Sequence, residues 1–190
     1  MVSSRDGQQW RRADPGPDGQ RPKLIPRGPT LWDAMMIHTS THPLLVDDTL
    51  HLYYQGDSCS HHGAVCVEPK TPTSIGLATL RRDGWAYLAH EAASAPGYVT
   101  TKALSGVGSG SSLRVNYKAG GGGSLRVALL DAASGTAIKG RTQADCAPLT
   151  GDSTNQTVTW HGASDEAPGQ VHIQFWLAGA VELYSFSFSV

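Results

Sequence analysis

The segment Met36-Ile37-His38-Thr39-Ser40-Thr41-His42 carries two imidazoles and a hydroxyl at alternate positions. Alternate residues of an extended strand share a face, so His38, Ser40 and His42 would form one row. Such a row could contact sugar hydroxyls or a metal ion, and it could equally be a hydrated polar lining. Trp32-Asp33 stands just ahead of it, which makes Asp33 the best-placed acid of the first half. After Tyr53-Tyr54 comes Asp57-Ser58-Cys59-Ser60-His61-His62. Asp57 with either His61 or His62 could bind a cation or orient a hydroxyl, and a solvated loop is the competing reading. Adjacent His61 and His62 would point to opposite sides of an extended chain, which is poor chelating geometry.

The three cysteines do not make a disulfide framework. Six residues lie between Cys59 and Cys66, a spacing that suits a loop-clipping disulfide in an oxidising compartment and is not a standard zinc spacing. Cys146 reads as a buried thiol. Asp145 and Asp152 flank a Pro/Gly loop of a kind that could hold a calcium ion, with a plain turn as the other reading. Asn155-Gln156-Thr157 is a formal glycosylation acceptor. Asp6-Gly7 is turn chemistry, because both residues tolerate positive φ.

These side chains must be positioned by strands. Helical periodicity is almost absent, and long stretches alternate apolar and polar residues. Leu125, Val127 and Leu129 share one face, as do Val171, Ile173, Phe175 and Leu177. Tyr184, Phe186, Phe188 and Val190 repeat the pattern, with Ser185, Ser187 and Ser189 opposite. The spacing predicts strands near 35–41, 43–46, 50–55, 74–80 and 85–89. It then predicts strands near 98–104, 112–118, 124–131, 136–139, 155–161, 170–178 and 181–189. The glycines at 120–123 predict a hairpin tip between two of them. The small, anchor-poor stretch Ala92-Ala93-Ser94-Ala95-Pro96-Gly97 predicts a joint, dividing the chain into 1–92 and 97–190. The second part has enough strands for an antiparallel sandwich or jelly roll, whereas the first can hardly close a core alone.

Composition narrows the partners. The chain has 190 residues, only 16% of them charged, with a formal net charge of -1. No basic excess exists to neutralise phosphates, so nucleic acid is not an expected partner. No apolar run approaches the roughly 20 residues of a membrane span, and no signal peptide is visible at the N-terminus. Glycine-rich phosphate loops need a strand-to-helix context that is missing here.

Several phrases resemble one family. Ser4-Arg5-Asp6-Gly7-Gln8-Gln9-Trp10 is similar to the SRDGxxW hairpin of glycosidase-like β-propellers. Ile25-Pro26-Arg27-Gly28-Pro29 followed by Trp32-Asp33-Ala34-Met35-Met36-Ile37 resembles the loop and inner strand of the next blade. Leu52-Tyr53-Tyr54-Gln55-Gly56 with His61-His62-Gly63, and Ser74-Ile75-Gly76-Leu77-Ala78-Thr79-Leu80-Arg81-Arg82-Asp83-Gly84-Trp85, resemble further phrases of such blades. Gly122-Gly123-Ser124-Leu125-Arg126-Val127-Ala128-Leu129-Leu130-Asp131 resembles the β-sandwich that follows them, as do Asp145-Cys146-Ala147-Pro148-Leu149-Thr150-Gly151-Asp152-Ser153 and Leu183-Tyr184-Ser185-Phe186. Together these resemble the last part of a five-bladed propeller related to glycoside hydrolase families 32 and 43, with its sandwich.

The resemblance implies an all-β chain, a partial β-propeller of about one blade with flanking strands followed by an antiparallel sandwich. It implies carbohydrate as the ligand, an extracellular setting, and a protein partner that completes the propeller. Trp32, His38, Ser40, His42, Tyr54, Asp57 and His61 become candidate sugar contacts, with Trp85 beside them, since aromatic faces suit sugar CH surfaces. Glycoside hydrolysis needs two carboxyl groups about 5–5.5 Å or 6.5–9.5 Å apart. Asp47, Asp48 and Asp83 fall in turns, and Asp33 has no convincing partner among Asp57, Glu68 and Glu91. The expectation is therefore sugar binding, or support of a catalytic partner, without turnover by the chain alone and without a required cofactor. Two rivals stand beside it: an assembly protein that uses exposed β edges, and a hydrolase completed by another chain.

Overall fold

The computed structural model describes residues 2–4, 6–12, 14–15, 18–29, 32–105, 111–162 and 169–189. Arg5 of the Ser-Arg-Asp-Gly phrase and Val190 of the last alternating run lie outside them. The chain is all-β, a blade-like sheet followed by a sandwich. It divides into two compact units, 1–80 and 81–190. This division falls ahead of the joint expected at 92–97. The reason is the strand at Leu88–His90, which pairs with the last strand of the sandwich and so belongs to the second unit.

In the first unit, β1 (Val2–Ser3) pairs with β2 (Arg11–Arg12). The turn between them is built by Asp6, whose Oδ1 accepts the backbone N–H groups of Gln8 and Gln9, each at 2.8 Å. The Trp10 indole donates to the Gly7 carbonyl at 3.1 Å. Asp6 is thus a turn residue, and these hydrogen bonds hold its carboxyl below the usual range. The main sheet joins β3 (Met36–Thr39), β4 (Leu44–Val46), β5 (Thr49–Asp57) and β6 (Ser74–Arg81). β5 is central, pairing antiparallel with β3 and β4 and also with β6. Asp47, at φ 52°, turns β4 into β5.

The second unit holds β7 (Leu88–His90), β8 (Gly97–Thr100), β9 (Leu104–Ser105), β10 (Ser112–Asp131), β11 (Gly151–Thr157) and β12 (Gln170–Ser189). β12 pairs with β7, β8, β9 and β10, and β11 pairs with the far edge of β10. Two predicted boundaries are corrected here. The glycines at 120–123 do not cap a hairpin, and β12 is not two strands. β10 and β12 each run 20 residues through a shared corner, where Gly120 pairs with Ala180 and Ser124 with Ala178. The corner needs glycine. A Cβ on Gly123 would lie 2.5 Å from the Ala180 carbonyl oxygen, and Gly179 sits at φ 71° with its Cβ direction aimed at Gly123. The segment at 136–139 forms a single bridge, Leu130 to Ala137, instead of a strand.

Bending one sheet at this corner lets its two halves enclose one core. Leu113, Val115 and Tyr117 come from one half of β10, and Leu125, Val127 and Leu129 from the other. Ile173, Phe175, Val181 and Leu183 of β12 fill the space between. A buried Val, Leu or Phe contributes roughly 1.5–3 kcal/mol, so this cluster supplies the driving force for the unit. The last alternating run is shifted by a bulge between Asn116 and Tyr117. Leu183, Phe186 and Phe188 pack on the core, whereas Tyr184 is displaced from the predicted apolar face.

Candidate functional site

The structure brings Trp32, Asp33 and Tyr54 together. Asp33 is 7% exposed and is the one buried carboxylate among the described residues. The Tyr54 hydroxyl donates to its Oδ2 at 3.0 Å. The Trp32 and Tyr54 rings stack with centroids 5.7 Å apart and planes 19° from parallel. Gly28 donates its N–H to the Asp33 carbonyl at 3.2 Å, which ties the backbone of Asp33 in place. Tyr54 is pushed up in pKa, first by burial and then by the hydrogen bond and charge of Asp33. The phenol therefore stays protonated and remains a donor.

Three glycines make room for this cluster. A Cβ on Gly28 would meet Asp33 Oδ1 at 1.8 Å. One on Gly56 would lie 2.6 Å from Asp33 Cβ and 2.7 Å from the Trp32 ring. One on Gly76 would lie 2.5 Å from the Tyr54 ring and 2.7 Å from that of Trp32. The aromatics and the acid are expected from the sequence, whereas the role of the glycines is not. The available signal was glycine inside strand patterns, at Gly56 and Gly76, which marks a close approach.

The remaining predicted residues lie elsewhere. His38 pairs with Gln55, and Met36 with Asp57, so these four share the face of the sheet opposite Tyr54 and Gly56. There Asp57 accepts from Gln55 Nε2 at 3.0 Å and from the Thr73 hydroxyl. The Thr73 and Gln55 hydrogen bonds, and then the nearby His38, hold its carboxyl below the usual range. Ser40 continues the ladder through its N–H to the Tyr53 carbonyl at 2.9 Å and shares the His38 face. The expected row ends there. The strand stops at Thr39, and His42 lies in the following bend, where its carbonyl accepts from the Ser40 hydroxyl.

His61 sits in a short 3-10 turn, His61–Gly63, stacked on His62 with centroids 4.1 Å apart. A disulfide between Cys59 and Cys66 closes this loop, the outcome that the cysteine spacing left open. His61 is exposed and is not gathered with Asp57 into any cluster of three metal-binding side chains among the described residues. The two acids of the proposed calcium loop are engaged separately. Asp145 accepts from the Thr142 N–H and hydroxyl, and Asp152 pairs with Arg81 at 2.8 Å. Cys146 is buried, with burial pushing its thiol up. Trp85, 39% exposed, belongs to the second unit.

Chemically, the first unit offers two stacked rings, one of them bonded through its hydroxyl to a buried acid. It offers no second buried acid among the described residues, and Asp57 faces the other way. No protein-family model matches the sequence, and neither a curated protein nor a solved structure shows similarity to it. Among the described residues no helix is long and apolar enough to cross a membrane, which says nothing about a β-barrel.

Proposed function

We propose that this chain is a carbohydrate-associated protein of glycoside-hydrolase-like ancestry that binds sugar or supports a catalytic partner, without turnover of its own. The carrying observation is that Tyr54 stacks on Trp32 and donates its hydroxyl to the buried Asp33. Aromatic faces suit the CH surface of a pyranose, and a buried carboxylate accepts strongly from a sugar hydroxyl. Turnover is left out because glycoside cleavage needs a second carboxyl, about 5–9.5 Å from the first, flanking the scissile bond. The test is titration of the full chain with neutral oligosaccharides of six residues. Binding lost in Asp33→Asn and kept in His38→Ala supports this reading. The reverse pattern moves the ligand to the opposite face of the sheet and overturns it, as does hydrolysis by the pure chain.

One observation favours a second reading, assembly with a protein partner that completes the first unit. Gly76 shares the face of Tyr54, so its neighbours Ile75 and Leu77 point the other way, at 80% and 47% exposure. Apolar side chains this open on a sheet face suit burial against a neighbour. A native mass above that of one chain, reduced to one chain by Ile75→Ser, supports this second reading.

A further inference from the structure

The outer face of the sandwich carries an aromatic platform that the first unit's cluster does not account for. Tyr98 on β8 lies directly opposite Trp176 on β12, with ring centroids 4.8 Å apart and planes tilted by 38°. Tyr98 is 61% exposed. On the other flank of Trp176, in the same cross-strand row, stands Arg126 of β10. The three side chains therefore form a line across three strands, aromatic, aromatic and cation.

Polar groups fix this line in place. The Trp176 indole donates to Gln174 Oε1 at 2.8 Å, and Gln174 Nε2 donates to the Thr100 hydroxyl at 3.2 Å. His172, two residues further along the same face, has Nδ1 2.9 Å from the Thr101 carbonyl and donates to it. Arg126 donates Nη1 to the carbonyls of Cys146, at 2.7 Å, and Gln143, at 3.5 Å. Carbonyls hold the guanidinium without neutralising it, and among the described residues it has no carboxylate partner. Asp131, at the end of this half of β10, is turned to its own loop by Ser134.

We infer that this face is a second ligand site, for an acidic oligosaccharide that bears uronic-acid units. A pyranose ring would lie on Tyr98 and Trp176, and its carboxylate would pair with Arg126. Charge selects the class, since the row holds one uncompensated cation and no acid, while the aromatic faces and the fixed amide favour a hydroxylated ring over a bare anion. The inference rests on the carbohydrate reading of the chain but uses different residues in the other unit, so the two can fail separately.

The experiment is calorimetric titration of the full chain with hexameric oligogalacturonate, with a neutral hexasaccharide and dextran sulfate in parallel. The expected result is oligogalacturonate binding that weakens about tenfold in both Tyr98→Ala and Arg126→Gln, corresponding to about 1.4 kcal/mol. The control Tyr53→Ala, an exposed aromatic of the first unit, should bind as the parent does. Near-ultraviolet circular dichroism checks that each variant is folded, and Arg126→Lys should recover only part of the affinity, because a point charge replaces a planar fork. Equal binding by parent and both variants overturns the inference, as does dextran sulfate binding that matches oligogalacturonate. Neutral binding that depends on Asp33, with no uronate binding, leaves the first reading standing and removes this one. Uronate binding that depends on Tyr98, with no neutral binding, does the opposite.

Discussion

His90 turns Nδ1 to the carbonyl oxygen of Gly179 at 2.8 Å, tying β7 to the glycine corner of β12. Its Nε2 lies 2.9 Å from a second carbonyl, that of Ala95. A neutral imidazole has one N–H and cannot donate to both. The pair of acceptors therefore favours the imidazolium, and His90 is raised above 6.5 by Gly179 first, then Ala95, with Glu91 adding to it.

A pH prediction follows from this raised value. The unfolded His90 titrates near 6.5, so its stabilising contribution is whole below that pH. It is lost as pH rises through the higher folded value. Thermal melts between about pH 5 and 8 should therefore show the His90 contribution level below about 6.5 and declining above it. In His90→Ala the decline should flatten. An unchanged slope in the variant would remove His90 as its source. At the acid end the sign reverses. Asp131 and Asp145 are lowered from 3.8 by their hydrogen bonds to Ser134 and Thr142. Their contribution is present above that value and is lost as pH falls below it.

Arg81 anchors a second set of contacts. Its Nε donates to Asn116 Oδ1 at 3.0 Å, its Nη1 meets Asp152, and its guanidinium lies 4.4 Å from the centre of the Tyr184 ring. Asn116 is buried, so Arg81→Met leaves an acceptor without its partner. The expected cost is roughly 2–3 kcal/mol, combining an unmade buried hydrogen bond with a lost cation–π contact. Chemical denaturation of the full chain measures it, and a loss below about 0.5 kcal/mol would assign Arg81 to ordinary surface behaviour.

Tyr54→Phe removes one oxygen and little volume. Asp33 stays buried and loses its phenolic donor, at an expected cost of about 1–3 kcal/mol. Limited proteolysis of the first unit reads this directly, because cleavage there rises with the open fraction. Protection equal to that of the parent would mean that the phenol is not what satisfies the acid.

Gly56→Ala tests the cradle by adding one carbon. That carbon collides with Asp33 Cβ and the Trp32 ring, so an overpacking cost of about 1–3 kcal/mol is expected. Gly135→Ala is the comparison, since nothing lies within 4 Å of the added carbon and only the strain of its φ of 71° remains. If both changes cost the same, crowding at Gly56 is not the reason for its glycine.

The Cys59–Cys66 bridge closes a short loop. A chain-entropy estimate gives about 2–3 kcal/mol for a loop of this size. The paired change Cys59→Ser with Cys66→Ser should lower first-unit protection by that amount and leave the second unit's melt unchanged. A thiol assay should find one free group in the parent, the buried Cys146, after denaturation.

Much of this architecture is legible in the residue pattern. Leu125, Val127, Leu129, Val171, Ile173, Phe175 and Leu177 all land on the buried face that alternation assigns them. The corner at 120–123 is not legible as such, because a glycine run fits a hairpin and a bent strand equally well. Only the partner glycine, Gly179, distinguishes them, and it stands far away in sequence. Tyr184 is misassigned for a similar reason. One extra residue in the ladder moves every later side chain to the other parity. At the candidate site the acid and the aromatics are readable as types, but the face is not. Tyr54 and Asp57 differ by three positions and therefore point to opposite sides of β5. His38 follows Asp57 because its register partner is Gln55.

The role of β12 has a consequence for biosynthesis. Its partners β7, β8, β9 and β10 all leave the ribosome before it does. None of them can complete its ladder with β12 until that final stretch of the unit emerges. During translation their β12-facing edges must wait unpaired, although β10 can already pair with β11. Substitutions in β12 should therefore depress soluble yield more than their effect on the finished fold would suggest.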